Sequence, residues 1–277
     1  MLIKFCIVVG VFAVAANPSA GIAFAEGSKK VINAATITTY PPFSFKDPAT
    51  NKLTGFDIDT FEAIAAKMGA RVSWTETSFD QLISFSGLKT HRVDVNGSGM
   101  GDTAERRASV NFLDYVYEGQ VFYTLGSNVN NFPNVEAVCG KRVAITRSSI
   151  VMNDAVKTWS DENCTKAGKP EVVIMPSENS QQSQQMLTQG RVDASVSGAG
   201  VLAYENSLHS GLYLILGKPL TQVMYGMGFR KEDTQFGEEL KKAFGELIAD
   251  GTYAELMLKW SLMEEAAIQK PMINGER

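Results

Sequence analysis

The stretch RVDVNGSGMG at residues 92–101 returns as RVDASVSGAG at residues 191–200, 99 positions further on. Each copy follows a helix-like lead ending in a polar turn, LKTH before the first and LTQG before the second. A leucine stands four residues ahead of the arginine in both, and Ser-Gly arrives at the same offset from the aspartate: Ser98-Gly99 and Ser197-Gly198. The surroundings repeat as well. In the first half VINAATI reads as a strand, and DIDTFEAIAAKMG as a helix with Phe61, Ile64, Ala65 and Met68 on one face. Asp57 is placed to cap that helix and Gly69 to end it. RVSW reads as a strand and FDQLISFSGLKT as a helical pattern. In the second half KRVAIT, SIVMNDAVKTWSDEN, EVVIM and SENSQQSQQMLTQ give strand, helix, strand and polar helix before RVDASV. This alternation predicts α/β architecture with a largely parallel sheet. A repeat this long and degenerate is not a solenoid but two similar lobes. Between them YEGQVFYTLGSNVNNFPNVEAV suits a strand that crosses from one to the other.

The tail QFGEELKKAFGELIADGTYAELMLKW places Phe236, Leu240, Phe244, Leu247 and Ile248 on one helical face, broken at Gly251. Leu256 and Trp260 read as the buried face of a second helix. In open α/β sheets ligands bind beyond the carboxyl ends of the strands. Two facing lobes would therefore bring the two Ser-Gly turns to opposite walls of one cleft.

The N-terminus has a single early cation, Lys4, an apolar run from Phe5 to Ala16, and an Ala-Phe-Ala ending at Ala25. That is the pattern of a cleavable export signal over residues 1–25, with the mature chain expected to begin at Glu26. Removal of Lys4 leaves 25 basic against 30 acidic residues, a net charge of −5. A mildly acidic chain with two histidines is a poor candidate for nucleic acid or metal. Cys6 leaves with the signal; Cys139 and Cys164 remain, and in an oxidising compartment they are expected to form a structural disulfide.

In GSGMGDTAERRASVNF, Thr103 is placed to cap a helix whose first turn holds Glu105 and Arg106. Arg106 offers a planar fork that matches a carboxylate. Together with YPPFSF at 40–45, GFDIDTFEAIAAKMG at 55–69, GRVDA and DGTYAELMLKW, this order of motifs resembles the extracellular solute-binding proteins of polar amino-acid ABC importers, over nearly the whole mature chain. The resemblance implies a two-lobed periplasmic binding protein fold of type II, with two crossing strands as the hinge. It implies lobe 1 over 26–123, lobe 2 over 124–221, and a return to lobe 1 with C-terminal helices over 222–277.

The same resemblance assigns Arg106 to the ligand carboxylate, Tyr40 and Phe79 to its flanks, and Ser98, Gly99 and Gly101 to the first-lobe turn. In the second lobe it assigns Ser148, Ser149 and Gly198. It implies a monomeric periplasmic protein, without cofactor or metal, that delivers an amino acid or related small carboxylate to an inner-membrane ABC permease. A dehydratase-like enzyme on the same fold and a ligand sensor are the alternatives. Two positions depart from the family pattern. Gly101 and Gly198 stand where a hydroxyl and a carboxylate usually hold the ligand's α-ammonium. Either another acid takes over, Glu178 and Glu205 being candidates, or the ligand lacks that ammonium. An acid restored at position 198 is expected to admit zwitterions if it fits.

Overall fold

The computed structural model describes residues 30–262 and 266–275, together with Leu2. Apart from that residue, the expected signal segment and the Glu26 start lie outside the described residues. The first half runs β1 Lys30–Thr36, β2 Thr39–Tyr40, β3 Ser44–Lys46, β4 Leu53–Thr54, α1 Phe56–Lys67, β5 Ala70–Glu76, α2 Phe79–Ile83, α3 Ser86–Lys89, β6 Val95–Gly101 and α4 Ala104–Arg107. The long strand β7 Val110–Leu125 leads into β8 Arg142–Thr146, α5 Ile150–Ser160, β9 Val173–Ser177, α6 Ser180–Thr188, β10 Ala194–Gly198 and α7 Ala199–Leu208. A second long strand, β11 Tyr213–Arg230, returns the chain to α8 Thr234–Ala249, α9 Thr252–Lys259 and β12 Ala267–Ile273.

The main sheet has the order β5-β1-β6-β11-β7-β10-β8-β9, with β12 also on β7. β1 pairs in parallel with β5 and β6, and β8 pairs in parallel with β9 and β10. The antiparallel pair β7 and β11 joins the two parallel halves. Three apolar clusters match this division. One gathers Ile32, Phe56, Phe61, Ile64, Phe112, Phe229 and Phe244. The others lie on the two faces of the second half, around Phe122, Val143, Ile145 and Val156, and around Tyr123, Met186, Leu187 and Leu202. β7 feeds both halves, through Phe112 to Val116 at one end and Val121 to Tyr123 at the other. Each such fully buried side chain contributes ~1.5–3 kcal/mol relative to exposure.

The Arg-Val-Asp repeat has one structural job, done twice. Asp94 accepts the Asn33 backbone N–H at 3.0 Å, and Asp193 accepts that of Arg142 at 2.9 Å. Each carboxylate thus ties its own strand, β6 or β10, to the parallel neighbour, at the middle of β1 and at the start of β8. Both aspartates also meet an arginine, Arg230 and Arg142 respectively, at 3.1 and 3.0 Å.

The C-terminal helices pack on the first cluster, through Leu240, Phe244, Leu247, Tyr253, Met257 and Trp260. Leu256 is only partly buried. Four expectations change. Asp57 does not cap α1; Gly55 occupies that position with no side-chain bond, and Asp57 turns inward. The pattern at 79–90 is not one helix. Phe85 has φ 56°, and its buried ring packs on Phe112. The Leu82 carbonyl accepts the Phe85 N–H at 3.2 Å, closing the turn early, and also the Asn96 side-chain amide at 2.8 Å. Ser98 and Gly99 lie within β6, not past its end. The tail adds a strand, β12, where only helices were expected.

Cys139 and Cys164 are disulfide-bonded, 5.5 Å apart between Cα atoms and 25 residues apart in sequence. Cys164 is fully buried in the π-helical turn Asp161–Thr165 that follows α5, in one cluster with Val138 and Val156. Because a closed loop of this length restricts the unfolded chain, reduction should lower unfolding free energy by ~3 kcal/mol. Denaturant titration with and without reductant measures that difference, and the unreduced denatured protein should titrate no free thiol.

Candidate functional site

A cleft with about 650 Å³ of space between its walls, the solvent at its open mouth included, lies between the two halves of the molecule. From the first half Ile37, Thr39, Tyr40 and Phe79 line it, with Gly99, Met100 and Gly101 of β6 and Arg106 of α4. The second half adds Thr146, Ser149, Val151, Met152, Asn179 and Ser180. The crossing strands add Gln120, Val223 and Tyr225. Among the described residues Arg106 is the single charged one on these walls.

Arg106 is held there by local structure. Thr103 caps the one-turn helix α4, its hydroxyl accepting the Arg106 N–H at 3.3 Å. The guanidinium donates from Nη1 to the Gly101 carbonyl at 2.8 Å. It is 6% exposed, and burial lowers its pKa. A buried guanidinium with one neutral acceptor is a strong attractor for an anion. Across the cavity Ser149 begins α5 without spending its hydroxyl on a capping bond. The unpaired N–H groups of that first helical turn favour the same anion.

A layer behind the walls fixes them. Asp57, fully buried, accepts the Gly99 N–H at 2.9 Å and the Tyr115 hydroxyl. Burial raises its pKa to about 6 against those two bonds. Ser98 belongs to this layer, not to the cavity. Its hydroxyl meets Thr36 Oγ1 at 2.7 Å, Ser44 Oγ at 3.0 Å and the Ile37 N–H at 2.9 Å, so it pins β6 to β1 and β3. Tyr40, Tyr225 and Gln120 form a chain, with 3.1 Å between the two hydroxyls and 3.2 Å from Gln120 Nε2 to Tyr225.

Two more expected ligand residues, Ser148 and Gly198, also fall outside the cavity. Ser148 donates its hydroxyl to Asp80. Arg147 reaches Asp80 at 3.1 Å and Glu178 at 2.7 Å. This cluster joins α2 of the first half to the β8 and β9 ends of the second, at the cavity mouth. Its members are half exposed, so each ion pair is worth little alone. Glu178 is thus engaged with Arg147, and Glu205 sits on α7 away from the cavity walls.

The space beside Gly198 belongs to Glu118, a residue the sequence reading did not select. A Cβ at position 198 would stand 2.6 Å from Glu118 Oε1 and 2.7 Å from its Cδ. The Glu118 carboxyl, 3% exposed, accepts the Gly200 N–H of α7 at 3.0 Å. Burial raises its pKa to about 8. The signal in the sequence was a lone acid within the apolar run VYEGQVFY. Position 198 therefore has no room for the restored acid. Gly101 is likewise a point of close approach, where a Cβ would stand 3.1 Å from Val151 of the other half. Among the described residues no group of three or more His, Cys, Asp or Glu side chains is placed to hold a metal ion.

Gly198→Asp should destabilise the fold by ~1–3 kcal/mol through overpacking, and adding Glu118→Ala should restore much of the loss; thermal denaturation of the single and double variants tests this. Glu118 also makes stability pH-dependent. A carboxyl with a raised folded pKa stabilises fully below its unfolded value, near 4.5, and the benefit disappears as pH rises through about 8. Asp114, raised by burial to about 8, acts in the same direction. The melting temperature should fall between pH 5 and pH 8 (window bounded by the same raised pKa values), and Glu118→Gln should flatten that fall. An unchanged slope in the variant would remove Glu118 as its source.

The family of bacterial extracellular solute-binding proteins, family 3, matches residues 32–263. The histidine-binding periplasmic protein of Salmonella typhimurium is 31% identical over 255 residues, covering 89% of this chain and 93% of that one. The arginine-binding protein ArgT of Corynebacterium glutamicum is 27% identical over 252 residues, covering 91% and 81%. Among solved structures, an ancestral arginine-binding protein bound to arginine aligns with a TM-score of 0.70 at 32% identity, covering 84% of this chain and 98% of that one. An ancestral amino acid-binding protein, a precursor of cyclohexadienyl dehydratase, aligns with a TM-score of 0.70 at 28% identity, covering 83% and 95%. With its two α/β lobes joined by crossing strands and its cavity between them, the chain belongs to the family 3 bacterial extracellular solute-binding proteins.

Proposed function

We propose that this protein is exported to the periplasm, captures a small monocarboxylate with an uncharged, largely apolar body, and hands it to an ABC permease. The observation that carries the ligand class is Arg106, a buried cation on cavity walls that hold no acid. Its guanidinium and the start of α5 at Ser149 would take the carboxylate. Tyr40, Phe79, Ile37, Val151 and Val223 would enclose the rest. Gly99 presents main-chain atoms to the cavity and is held in place by Asp57.

The relatives named for arginine or histidine set the class of solute, and the walls argue against a cationic one here. A second positive charge beside Arg106 would be buried without a compensating anion. Binding alone suits the site, because general acid–base chemistry needs a positioned proton carrier within reach of substrate. The buried acids Asp57 and Glu118 are spent on backbone amides behind the walls, and Asp80 and Glu178 at the mouth are paired with Arg147. A thermal-shift panel of amino acids, hydroxy acids and plain carboxylates, together with mass spectrometry of what co-purifies from the periplasm, tests the ligand class. Tight arginine binding would overturn it, and product formed from a bound acid would favour the enzyme.

Arg106→Ala should weaken binding of the best panel member by ~2–5 kcal/mol, the cost of breaking a desolvated, hydrogen-bonded charge pair. Arg107→Ala should act on stability instead. Arg107 donates to both oxygens of the buried Asp102, at 2.6 and 2.7 Å. Its loss leaves that carboxylate short of partners, at ~1–3 kcal/mol of folding free energy. Calorimetry and denaturation of the two variants separate the roles. Equal losses of affinity would show that the carboxylate is held elsewhere.

A further inference from the structure

The cavity has a second chemical feature besides Arg106. Gln120 is 1% exposed and lies on the crossing strand β7, and its side-chain oxygen Oε1 has no hydrogen-bond partner. Of the buried polar side-chain atoms left without a partner among the described residues, it is the one whose residue lines the cavity. The other end of the amide is committed, because Nε2 donates to the Tyr225 hydroxyl at 3.2 Å. Tyr225 is held in turn by Tyr40 at 3.1 Å. Gly198 stands opposite Gln120 in the β7–β10 ladder. It supplies no side chain that could cover the amide oxygen. A buried acceptor without a donor is costly, and a ligand that brings the donor recovers that cost.

We propose that Gln120 Oε1 accepts a hydrogen bond from a neutral donor on the ligand, a hydroxyl or an amide N–H close to its carboxylate, and so sets which carboxylates this protein selects. The inference rests on the reading that Arg106 holds the carboxylate. An amide oxygen is uncharged. It completes a neutral donor, whereas an ammonium would bring a full charge and two further donors to walls without an acid. The rival acceptor is Glu118, two residues earlier on the same face of β7. Its carboxyl is directed to the α7 backbone at Gly200 and is not part of the cavity wall. Recognition of the ligand's donor has thus moved from strand β10, where residue 198 is a glycine, to the hinge strand.

The test uses the mature protein and leucine, valine, methionine and phenylalanine. Each is compared with its α-hydroxy analogue, its N-acetyl derivative and the analogue lacking any α-substituent. Calorimetry is run on wild type, Gln120→Leu, Arg106→Ala and Glu118→Gln. In the wild type the hydroxy or N-acetyl member should bind at least tenfold tighter than the unsubstituted acid, a difference of 1.4 kcal/mol. Gln120→Leu should bring the two within about twofold, the hydroxy or N-acetyl member losing more affinity than the unsubstituted acid. Arg106→Ala should weaken all members alike. Gln120→Met serves if the leucine variant does not fold. A donor advantage that survives in Gln120→Leu overturns the inference and leaves the carboxylate reading standing. Amino acids ranking first, with the advantage removed by Glu118→Gln, would assign the acceptor to Glu118 and overturn it too. No binding by any member, or none lost in Arg106→Ala, overturns the carboxylate reading itself and the inference with it.

Discussion

The antiparallel ladder between β7 and β11 is the constraint on which the rest depends. It pairs Val110 with Arg230 at one end and Leu125 with Tyr213 at the other. Each lobe builds its parallel sheet onto this ladder, β6 against β11 and β10 against β7. Because the ladder is shared, the ligand cavity is also built on it. Gln120 and Tyr225 come from the ladder itself, and Arg106 precedes β7 by a few residues. The register breaks between Leu216 and Thr221 of β11, where Pro219 cannot donate to its neighbour. A second shift falls between Tyr225 and Gly226, opposite Val116 and Asp114.

Much of this was legible in the chain. The doubled Arg-Val-Asp announced two lobes, and the structure shows why it recurs: a carboxylate one residue before a central strand accepts a backbone amide of its parallel neighbour. Periodicity located α1, α5, α6 and α8, and the glycine at 251 ended α8 as read, with φ 87°. Of the nine expected ligand residues, Tyr40, Phe79, Gly99, Gly101, Arg106 and Ser149 meet at the cavity. Ser98, Ser148 and Gly198 do not. A hydroxyl in a turn motif gives no hint whether its partner is a ligand or the next strand, and Ser98 had three partners within the fold. Ser148 was claimed by Asp80, a residue 68 positions away.

The two glycines were read as deletions, and only the fold shows what fills the space. Position 198 is vacant because Glu118 occupies it from another strand. That exchange is invisible to a scan along the chain, since the two residues are 80 positions apart and belong to different strands. Gln120 was missed for a related reason. A polar residue within an apolar strand signals a buried hydrogen bond, but which of its atoms goes without a partner, here Oε1, is a property of the packed molecule. The break at Phe85 was equally hidden. The local pattern was helical, and the gain from seating an aromatic ring on Phe112 outweighed the unfavourable backbone angle.

The strand β12 follows residue 263, where the family match ends, and lies along β7 at Leu113, Asp114 and Val116. On the other side of the cleft, β10 lies along β7 from Gln120 onward. Between those two stretches, Tyr117, Glu118 and Gly119 run with β11 as their sole ladder partner among the described residues. The crossing strand is therefore a short flexure between two clamps. Any rotation of one lobe about the other would have to be taken up across this span, and Glu118, whose carboxyl holds the foot of α7, lies within it.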